Sequence, residues 1–468
     1  MSITQTFVQT GSDVKNDRLG TFPALAPDLF DTFDVTLSGL GGNDTLSAYS
    51  GPADWVAYAE ALPEGSVTLT ITNHLTGGAG RDWLESSQAP SVNSPAFWAV
   101  SRSDTLDGGD GNDTYVLHGD AVIILDNAGI DTVILAADYA EQTHWVPFDL
   151  ADNAMDVIEN LTALGVMDIH LFGNDLNNTI TGNGGHNVLM GGLGADVLYG
   201  GEGQDALLGG DGNDALYGGE GEDNMLGGRG SDRYIVDSYG DLIVDDEGSE
   251  VDTVSSSNIG LEGDFYEGVE ILRLTGTEDL YIAGGLYATK LFGNAGHNQI
   301  LMFDRETAYG GDGNDSFFDD ALGGSATAFG GNGNDLFSFD IGKNRLTGNA
   351  GEDYFDIQPS RLNMATAPSN AMALTITDFE FGTDHINFAN GVSSASTDPL
   401  AADGHCNVKL SYLTQVSPKG ETHILQLDAD IDGNGVADVR VMLLVAPGFI
   451  LDPLDYGDVF ALAPSILA

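Results

Sequence analysis

The sequence predicts an all-β fold in which short parallel strands wind into a β-solenoid. Residues 182–235 hold six consecutive nine-residue units in unbroken register: GNGGHNVLM, GGLGADVLY, GGEGQDALL, GGDGNDALY, GGEGEDNML and GGRGSDRYI. Glycines fill the turn of each unit, Asp or Asn stands at position 6, and an apolar residue stands at position 8. The residues after position 6 suffice for one short strand, so each unit is expected to make half of one coil.

Less regular copies of the unit extend this pattern to both sides. They occur at 39–47, 77–85, 108–116, 310–318, 330–338 and 348–356, with a degenerate copy around Asp104. A flexible Gly-rich linker would not keep an apolar residue at every ninth position. We therefore expect four segments: 1–118, an N-terminal cap and first irregular roll with insertions; 119–236, a β-rich flank and the regular roll; 237–357, a second flank and third roll; and 358–468, a C-terminal β cap with a secretion signal.

The charge of the chain indicates a cationic partner. Fifteen Lys and Arg stand against 72 Asp and Glu, a net charge of −57, which excludes nucleic acid and argues against bare anionic membrane. Carboxylates stacked about 4.8 Å apart repel by about 1 kcal/mol in water and by about 3 to 4 kcal/mol at an effective dielectric constant of about 20. A column of such pairs would cancel a typical stability of about 5 to 15 kcal/mol. We expect the repeats to be unfolded without a cation.

The nine-residue pattern resembles the RTX (repeats-in-toxin) calcium-binding repeat, whose units form a parallel β-roll with Ca²⁺ between stacked turns. The resemblance implies a secreted protein with several Ca²⁺ ions held by oxygen ligands. It implies the following position-6 ligands: Asp44, Asp82, Asp104, Asp113, Asn187, Asp196, Asp205, Asp214, Asp223, Asp232, Asp315, Asp335 and Asp353. Asn178 takes the same position as Asn187, and their neutral amides mark an N-terminal cap where calcium is expected to be weak or absent.

The third roll is expected to bind less calcium. Position 6 holds Glu306, Ala326 or Asn344 in its intervening units. The core position holds aromatic side chains in place of Leu, so that packing takes over part of the stabilisation: Phe317, Phe337 and Phe355.

The C-terminal region carries two further signals. The loop DADIDGNGVAD resembles an EF-hand loop, with candidate calcium ligands at Asp428, Asp430, Asp432 and Asp438. Val439 stands where an EF-hand loop has its bidentate Glu, and strands instead of helices flank the loop. Two interpretations therefore remain, a strand-loop-strand calcium site and a plain Asp-Gly turn. The final stretch DYGDVFAL is similar to the uncleaved C-terminal signals read by type I secretion systems. We expect no cleaved secretory signal and no transmembrane segment.

No catalytic motif is present in the sequence. His-Glu-x-x-His and Gly-x-Ser-x-Gly are both missing, and the nine histidines are dispersed. Trp55, Trp83 and Trp98 lie in or beside two insertions, 48–76 and 86–103, where they form either a local core or a binding surface.

The first functional hypothesis is a secreted, calcium-binding structural protein of the bacterial cell surface or matrix. Such a surface-layer, filament or adhesion subunit would self-associate into a lattice or filament and would not be an enzyme. The alternatives are a secreted enzyme or toxin with its active site in the N-terminal insertions, and an adhesin that binds a surface glycan through Trp55 and Trp98.

Overall fold

The computed structural model describes the chain in segments that together form two compact units, Met1–Glu250 and Val251–Ala468. The four segments predicted from the sequence divide the chain at other residues and stay a prediction. The described residues are 4–10, 18–19, 32–41, 45–47, 67–86, 98–118, 122–136, 147–151, 155–245, 250–319, 325–340, 343–358, 373–380, 383–388, 394–396, 407–417, 420–430 and 439–445.

The first unit consists of three parallel ladders. One contains β1 (Thr4–Thr10), β3 (Thr32–Gly41), β5 (Val67–Ala79), β7 (Trp98–Asp110) and β9 (Val122–Leu125). A second contains β2 (Arg18–Leu19), β4 (Thr45–Ser47), β6 (Trp83–Glu85), β8 (Thr114–Leu117), β10 (Thr132–Leu135), β12 (Asn160–Ala163), β14 (Thr179–Thr181), β16 (Val197–Glu202), β18 (Ala215–Glu220) and β20 (Arg233–Ile235). The third contains β11 (Phe148–Asp149), β13 (His170–Phe172), β15 (Val188–Leu193), β17 (Ala206–Asp211), β19 (Asn224–Arg229) and β21 (Leu242–Val244).

The second unit repeats this construction with two ladders and a hairpin. One ladder contains β22 (Thr253–Ser256), β25 (Ile271–Leu274), β27 (Lys290–Phe292), β29 (Thr307–Asp312), β31 (Thr327–Asn332), β33 (Arg345–Ala350), β35 (Ala373–Ile376) and β40 (Val439–Val445). The other contains β23 (Leu261–Glu262), β26 (Tyr281–Ala283), β28 (Gln299–Met302), β30 (Ser316–Asp319), β32 (Leu336–Asp340), β34 (Tyr354–Gln358) and β36 (His385–Phe388). The remaining elements are a 3-10 turn at Gly263–Phe265, β24 (Tyr266–Glu267), β37 (Ser394–Ser396), β38 (Asn407–Ser417) and β39 (Gly420–Asp430).

Strand pairing shows two nine-residue units in each coil of the regular roll. Consecutive strands alternate between the two sheets, and Val188 of β15 lies beside Ala206 of β17, which lies beside Asn224 of β19. Partners are thus one full coil apart in sequence. The predicted all-β parallel roll is confirmed.

Position 8 of every unit in the regular roll points into the core, as predicted. These side chains are at most 2% exposed: Leu189, Leu198, Leu207, Leu216, Met225 and Tyr234. Apolar burial inside a narrow coil is the main stabilisation that a solenoid of short strands can obtain. The residues after position 6 therefore form strands because every second one has a core to enter.

In the third roll, aromatic rings replace these leucines. Phe317, Phe337 and Phe355 are fully buried, and their ring centroids lie 4.8 and 4.9 Å apart in near-parallel stacks. The spacing equals the separation of neighbouring strands, so each coil adds one ring to the column.

The C-terminal hairpin predicted from the sequence is also present. β38, β39 and β40 pair antiparallel, with Leu427 beside Val441, and β40 continues parallel to β35. Within the described part of the chain, no helix has the length and apolarity needed to span a membrane.

Candidate metal centre

The turns of the roll use their three glycines in two different ways. Gly210 and Gly212, at positions 2 and 4 of one unit, have φ of 123° and 153°, which side chains rarely tolerate. Gly209, at position 1, is required for space, because a methyl group there would overlap Oδ2 of Asp214 and the carbonyl oxygen of Gly227. The first glycine thus leaves room for a carboxylate oxygen and for a carbonyl of the next coil.

Position-6 carboxylates form a ladder along the turns of the regular roll. Oδ1 of each accepts the backbone N–H of the position-6 residue one coil earlier, at 2.7 to 2.9 Å. The five acceptors are Asp196, Asp205, Asp214, Asp223 and Asp232. The predicted ligands thus occupy equivalent places in stacked turns.

In most of these carboxylates, and in their counterparts in the other rolls, the second oxygen lacks a protein donor among the described residues. Among the described residues, Oδ2 is buried without a hydrogen bond in Asp113, Asp196, Asp205, Asp214, Asp223, Asp315, Asp335 and Asp353. Each of these side chains is at most 2% exposed. A buried anionic oxygen without a donor destabilises the folded state. We therefore expect each of these oxygens to bind a cation or a proton.

Burial raises the pKa of these carboxyls because it disfavours their charged form. The pKa rises to about 6 for Asp196 and Asp214, where hydrogen bonds from the backbone partly offset the burial. It rises to about 7 for Asp223, Asp315, Asp335 and Asp353. Without a metal, the carboxyls with a pKa of about 7 are therefore partly protonated at neutral pH, whereas those of Asp196 and Asp214 are mostly charged.

Asn187 reveals the oxygens that converge in a turn. Its Nδ2 donates to the carbonyl of Gly185 at 2.9 Å and to Oδ1 of Asp205 at 3.1 Å, and lies 3.5 Å from the carbonyl of Gly200. The amide hydrogens thus occupy a place surrounded by oxygen atoms of two stacked turns. Carboxylate and carbonyl oxygens are the donor set that Ca²⁺ takes, so the residues present fit this ion.

Two other turns with Asn at position 6, those of Asn178 and Asn298, are closed by their own hydrogen bonds. Oδ1 of Asn178 accepts the N–H of Asn174 at 2.8 Å, and its Nδ2 donates to the carbonyl of Ile158 at 3.1 Å. Oδ1 of Asn298 likewise accepts the N–H of Asn294 at 2.8 Å. These contacts need no cation. Weak or absent calcium at Asn178 and Asn187 stays a prediction. The contacts favour it at Asn178, whereas Oδ1 of Asn187 is buried without a hydrogen bond among the described residues.

In the third roll, Asp315, Asp335 and Asp353 continue the ladder. Oδ1 of these residues accepts the N–H of Asn298, Asp315 and Asp335, respectively, at 2.7 to 2.9 Å. Glu306 differs, because its two oxygens accept the N–H groups of Gly285 and Phe303 at 3.1 and 2.7 Å. Fewer or weaker calcium sites in this roll stay a prediction.

Two of the predicted ligands lie in the first roll's turns and one lies in a strand. Oδ1 of Asp113 accepts the N–H of Asp82 at 2.8 Å, as in the regular roll. Asp104 lies within β7, opposite Asn73, whose Nδ2 donates to its Oδ1 at 2.7 Å. Asp44 lies outside the described residues.

The C-terminal candidate site is described only in part. Asp428 lies in β39, where Oδ1 accepts Nε of Arg440 and Oδ2 accepts Nε2 of Gln426, both at 2.7 Å. Both oxygens are thus engaged by the protein. Asp430 ends β39, and its side chain as well as Asp432 and Asp438 lie outside the described residues. Calcium binding by this loop stays a prediction.

Several ladder carboxylates among the described residues escaped the prediction from sequence, and three of them are Asp. Asp131, Asp241 and Asp384 accept the N–H groups of Asp113, Asp223 and Asp353 at 2.7, 3.1 and 3.2 Å. No glycine pair precedes them. In sequence they share only positions 6 and 8 of the repeat, an Asp followed two residues later by an apolar residue. The three copies are Asp131-Thr132-Val133, Asp241-Leu242-Ile243 and Asp384-His385-Ile386.

Comparison with known proteins agrees with this geometry. The family model of the RTX calcium-binding nonapeptide repeat matches four stretches of the chain: 31–51, 99–121, 172–207 and 199–234. No curated protein matches the chain. The chain carries RTX calcium-binding repeats, which imply several bound Ca²⁺ ions, and together with the parallel solenoid they fit an RTX β-roll protein.

Proposed function

We propose that this RTX β-roll chain is a structural protein of the bacterial cell surface or extracellular matrix, one that folds and self-associates on meeting calcium outside the cell. RTX repeats are typical of secreted calcium-binding proteins, which supports the extracellular setting. The role proposed is that of a surface-layer, filament or adhesion subunit, and not of an enzyme.

The observation that carries the proposal is a row of apolar side chains on the outside of the regular roll. Position 9 of the units places Met190, Leu208 and Leu226 side by side on one sheet, with Met190 and Leu226 38% and 39% exposed. On the other sheet, Tyr199 and Tyr217 stack with ring centroids 4.6 Å apart. Contiguous apolar residues on an outer face favour contact with another protein surface.

The net charge explains why calcium would control such contact. With a net charge of −57 each, the metal-free chains repel one another, and this repulsion opposes their association. Each bound Ca²⁺ removes two negative charges. Calcium would thus fold the roll, bring the position-9 apolar side chains of stacked coils side by side, and reduce the repulsion between copies of the chain.

Export through a type I secretion system is part of the proposal and rests on the sequence of residues 455–462, which lie outside the described residues. The enzymatic and glycan-binding alternatives rest on the N-terminal insertions, of which residues 48–66 and 87–97 also lie outside. They stay predictions, testable by a hydrolase and lyase screen and by glycan arrays with Trp55→Ala.

Sedimentation velocity and electron microscopy across a CaCl₂ titration test the self-association. We expect monomers in chelator and ordered assemblies at millimolar CaCl₂. The double variant Leu208→Ser and Leu226→Ser should keep the calcium-induced β signal in circular dichroism and lose assembly. Gln204→Ser, at an exposed turn position, is the control and should assemble normally. Persistent monomers of the unmodified chain at millimolar calcium would refute the structural role.

A further inference from the structure

A cluster of three carboxylates lies at the end of the first roll, and one of them, Asp126, falls outside the repeat pattern. Asp113, Asp126 and Asp131 each bring one carboxylate oxygen within 4.8 Å of the other two. Asp113 precedes β8, Asp126 follows β9 and Asp131 precedes β10. In the stretch DNAGIDTVI, Asp126 takes the place that glycine holds in a nine-residue unit, so no repeat accounts for it.

Each of the three carboxylates uses one oxygen for a protein donor. Oδ1 of Asp113 accepts the N–H of Asp82 at 2.8 Å, and Oδ1 of Asp131 accepts the N–H of Asp113 at 2.7 Å. Oδ1 of Asp126 accepts the hydroxyl of Tyr115 at 2.9 Å. These contacts hold the three groups in place and leave one oxygen on each for another partner.

The remaining oxygens are buried without a hydrogen bond. Oδ2 of Asp113, of Asp126 and of Asp131 has no donor among the described residues, and the side chains of Asp113 and Asp131 are 1% and 0% exposed. Buried acceptors are normally satisfied by a hydrogen-bond donor or by a bound ion, and the described residues supply no donor to these three oxygens. Three carboxylates carry a combined charge of −3 when ionised, and each directs one free oxygen toward the other two. Such a set of oxygens is suited to a hard divalent cation.

Tyr115 positions the third carboxylate. Its ring is fully buried in the core, while its hydroxyl accepts the N–H of Gly108 at 3.1 Å and donates to Asp126. Burial and the charge of Asp126 raise the pKa of Tyr115, which keeps its hydroxyl a donor at neutral pH. Tyr234 makes the corresponding contact with Asp245 at 2.6 Å, and its hydroxyl likewise accepts the N–H of Gly227 at 2.7 Å.

We propose that Asp113, Asp126 and Asp131 form a calcium site of a second kind, built from three side-chain carboxylates instead of two stacked glycine turns. Asp126 follows a strand of one sheet, whereas Asp113 and Asp131 precede strands of the other. The ion would tie the two sheets together where the first roll ends. The proposal depends on calcium as ligand and is independent of the surface role proposed above.

Anomalous diffraction from crystals of the full chain grown in CaCl₂, or in TbCl₃, tests the site directly. We expect a peak about 2.3 to 2.6 Å from oxygens of all three carboxylates. Peaks in the glycine turns are the internal reference. Peaks in the turns with none in the cluster would overturn this proposal alone, whereas assembly without calcium would count against the proposed function alone.

Hydrogen exchange during a CaCl₂ titration tests the same site in solution. Asp126→Asn keeps an acceptor for Tyr115 and removes one charge, so protection of residues 108–136 should require about tenfold more CaCl₂, with 182–235 unchanged. Asp110→Asn, an exposed acid of the same turn, is the matched control and should cause no shift. Tyr115→Phe should shift 108–136 in the same direction by less.

Two results would overturn the site in this experiment. One is equal behaviour of Asp126→Asn and Asp110→Asn. The other is full protection of 108–136 in chelator at pH 7.5, which would show that the cluster needs no cation. If Asp126→Asn lowers protection of the whole chain, the anomalous peak decides.

Discussion

Oδ1 of Asp214 accepts the backbone N–H of Asp196 at 2.8 Å, while Oδ2 of the same carboxylate is buried without a hydrogen bond. One oxygen therefore fixes the side chain to the preceding coil and the other is left for a cation. If Oδ2 binds Ca²⁺ as predicted, the register of the coils is coupled to metal binding, since a coil out of register would lose both contacts.

Replacing Asp214 by Asn separates these two roles. Asp214→Asn keeps an acceptor for the N–H of Asp196 and loses the charge, so the CaCl₂ midpoint for folding of 182–235 should rise about tenfold. Circular dichroism during a CaCl₂ titration measures it. Asp211→Asn is the matched control, because Asp211 is exposed in the same turn and pairs only loosely with Arg229 at 3.6 Å. Equal shifts in both variants would contradict a ligand role for Asp214.

Removal of calcium should make folding depend on pH. The pKa of Asp223 and of Asp335 is about 7 in the folded chain against 3.8 as the ordinary value, so the metal-free folded state binds more protons than the unfolded state between these limits. Its stability therefore falls as pH rises from about 4 to about 7. In chelator we expect β-type circular dichroism at pH 5 and its loss at pH 7.5, and saturating CaCl₂ should remove this dependence. A metal-free β signal that is constant from pH 5 to 7.5 would contradict the prediction.

The first glycine of a unit should be as sensitive to substitution as the ligand itself. In Gly209→Ala the new methyl group would overlap Oδ2 of Asp214, so we expect weaker calcium binding and a loss of about 1 to 3 kcal/mol in the free energy of unfolding. Calorimetric titration and thermal unfolding in CaCl₂ measure the two effects. Gly184→Ala is the control, because the nearest atom to its methyl group would be Cγ1 of Val166 at 3.3 Å. The idea fails if both variants behave alike.

Much of the roll could be predicted from the period of nine. Alternation after position 6 indicates a strand with one core residue, and the buried position-8 side chains agree. The carboxylates of the flanks were harder to foresee, because Asp131 and Asp241 join the ladder through backbone register without a glycine pair before them. Asp126 was missed for another reason. Its place depends on the hydroxyl of Tyr115, a contact between consecutive strands of different sheets that the nine-residue pattern does not encode.

In the third roll, packing should matter independently of calcium. Phe337 stacks between Phe317 and Phe355, so Phe337→Ala would open a cavity in the middle of the aromatic column. We expect a loss of about 3 to 5 kcal/mol in unfolding free energy at saturating CaCl₂. Phe318→Ala is the control, since Phe318 points outward and is 37% exposed, and it should cost much less. Because the predicted ligands Asp315 and Asp335 stay in place, excess calcium should not restore the stability of Phe337→Ala. Full recovery at high calcium would show that the metal, and not the stacked rings, holds this roll together.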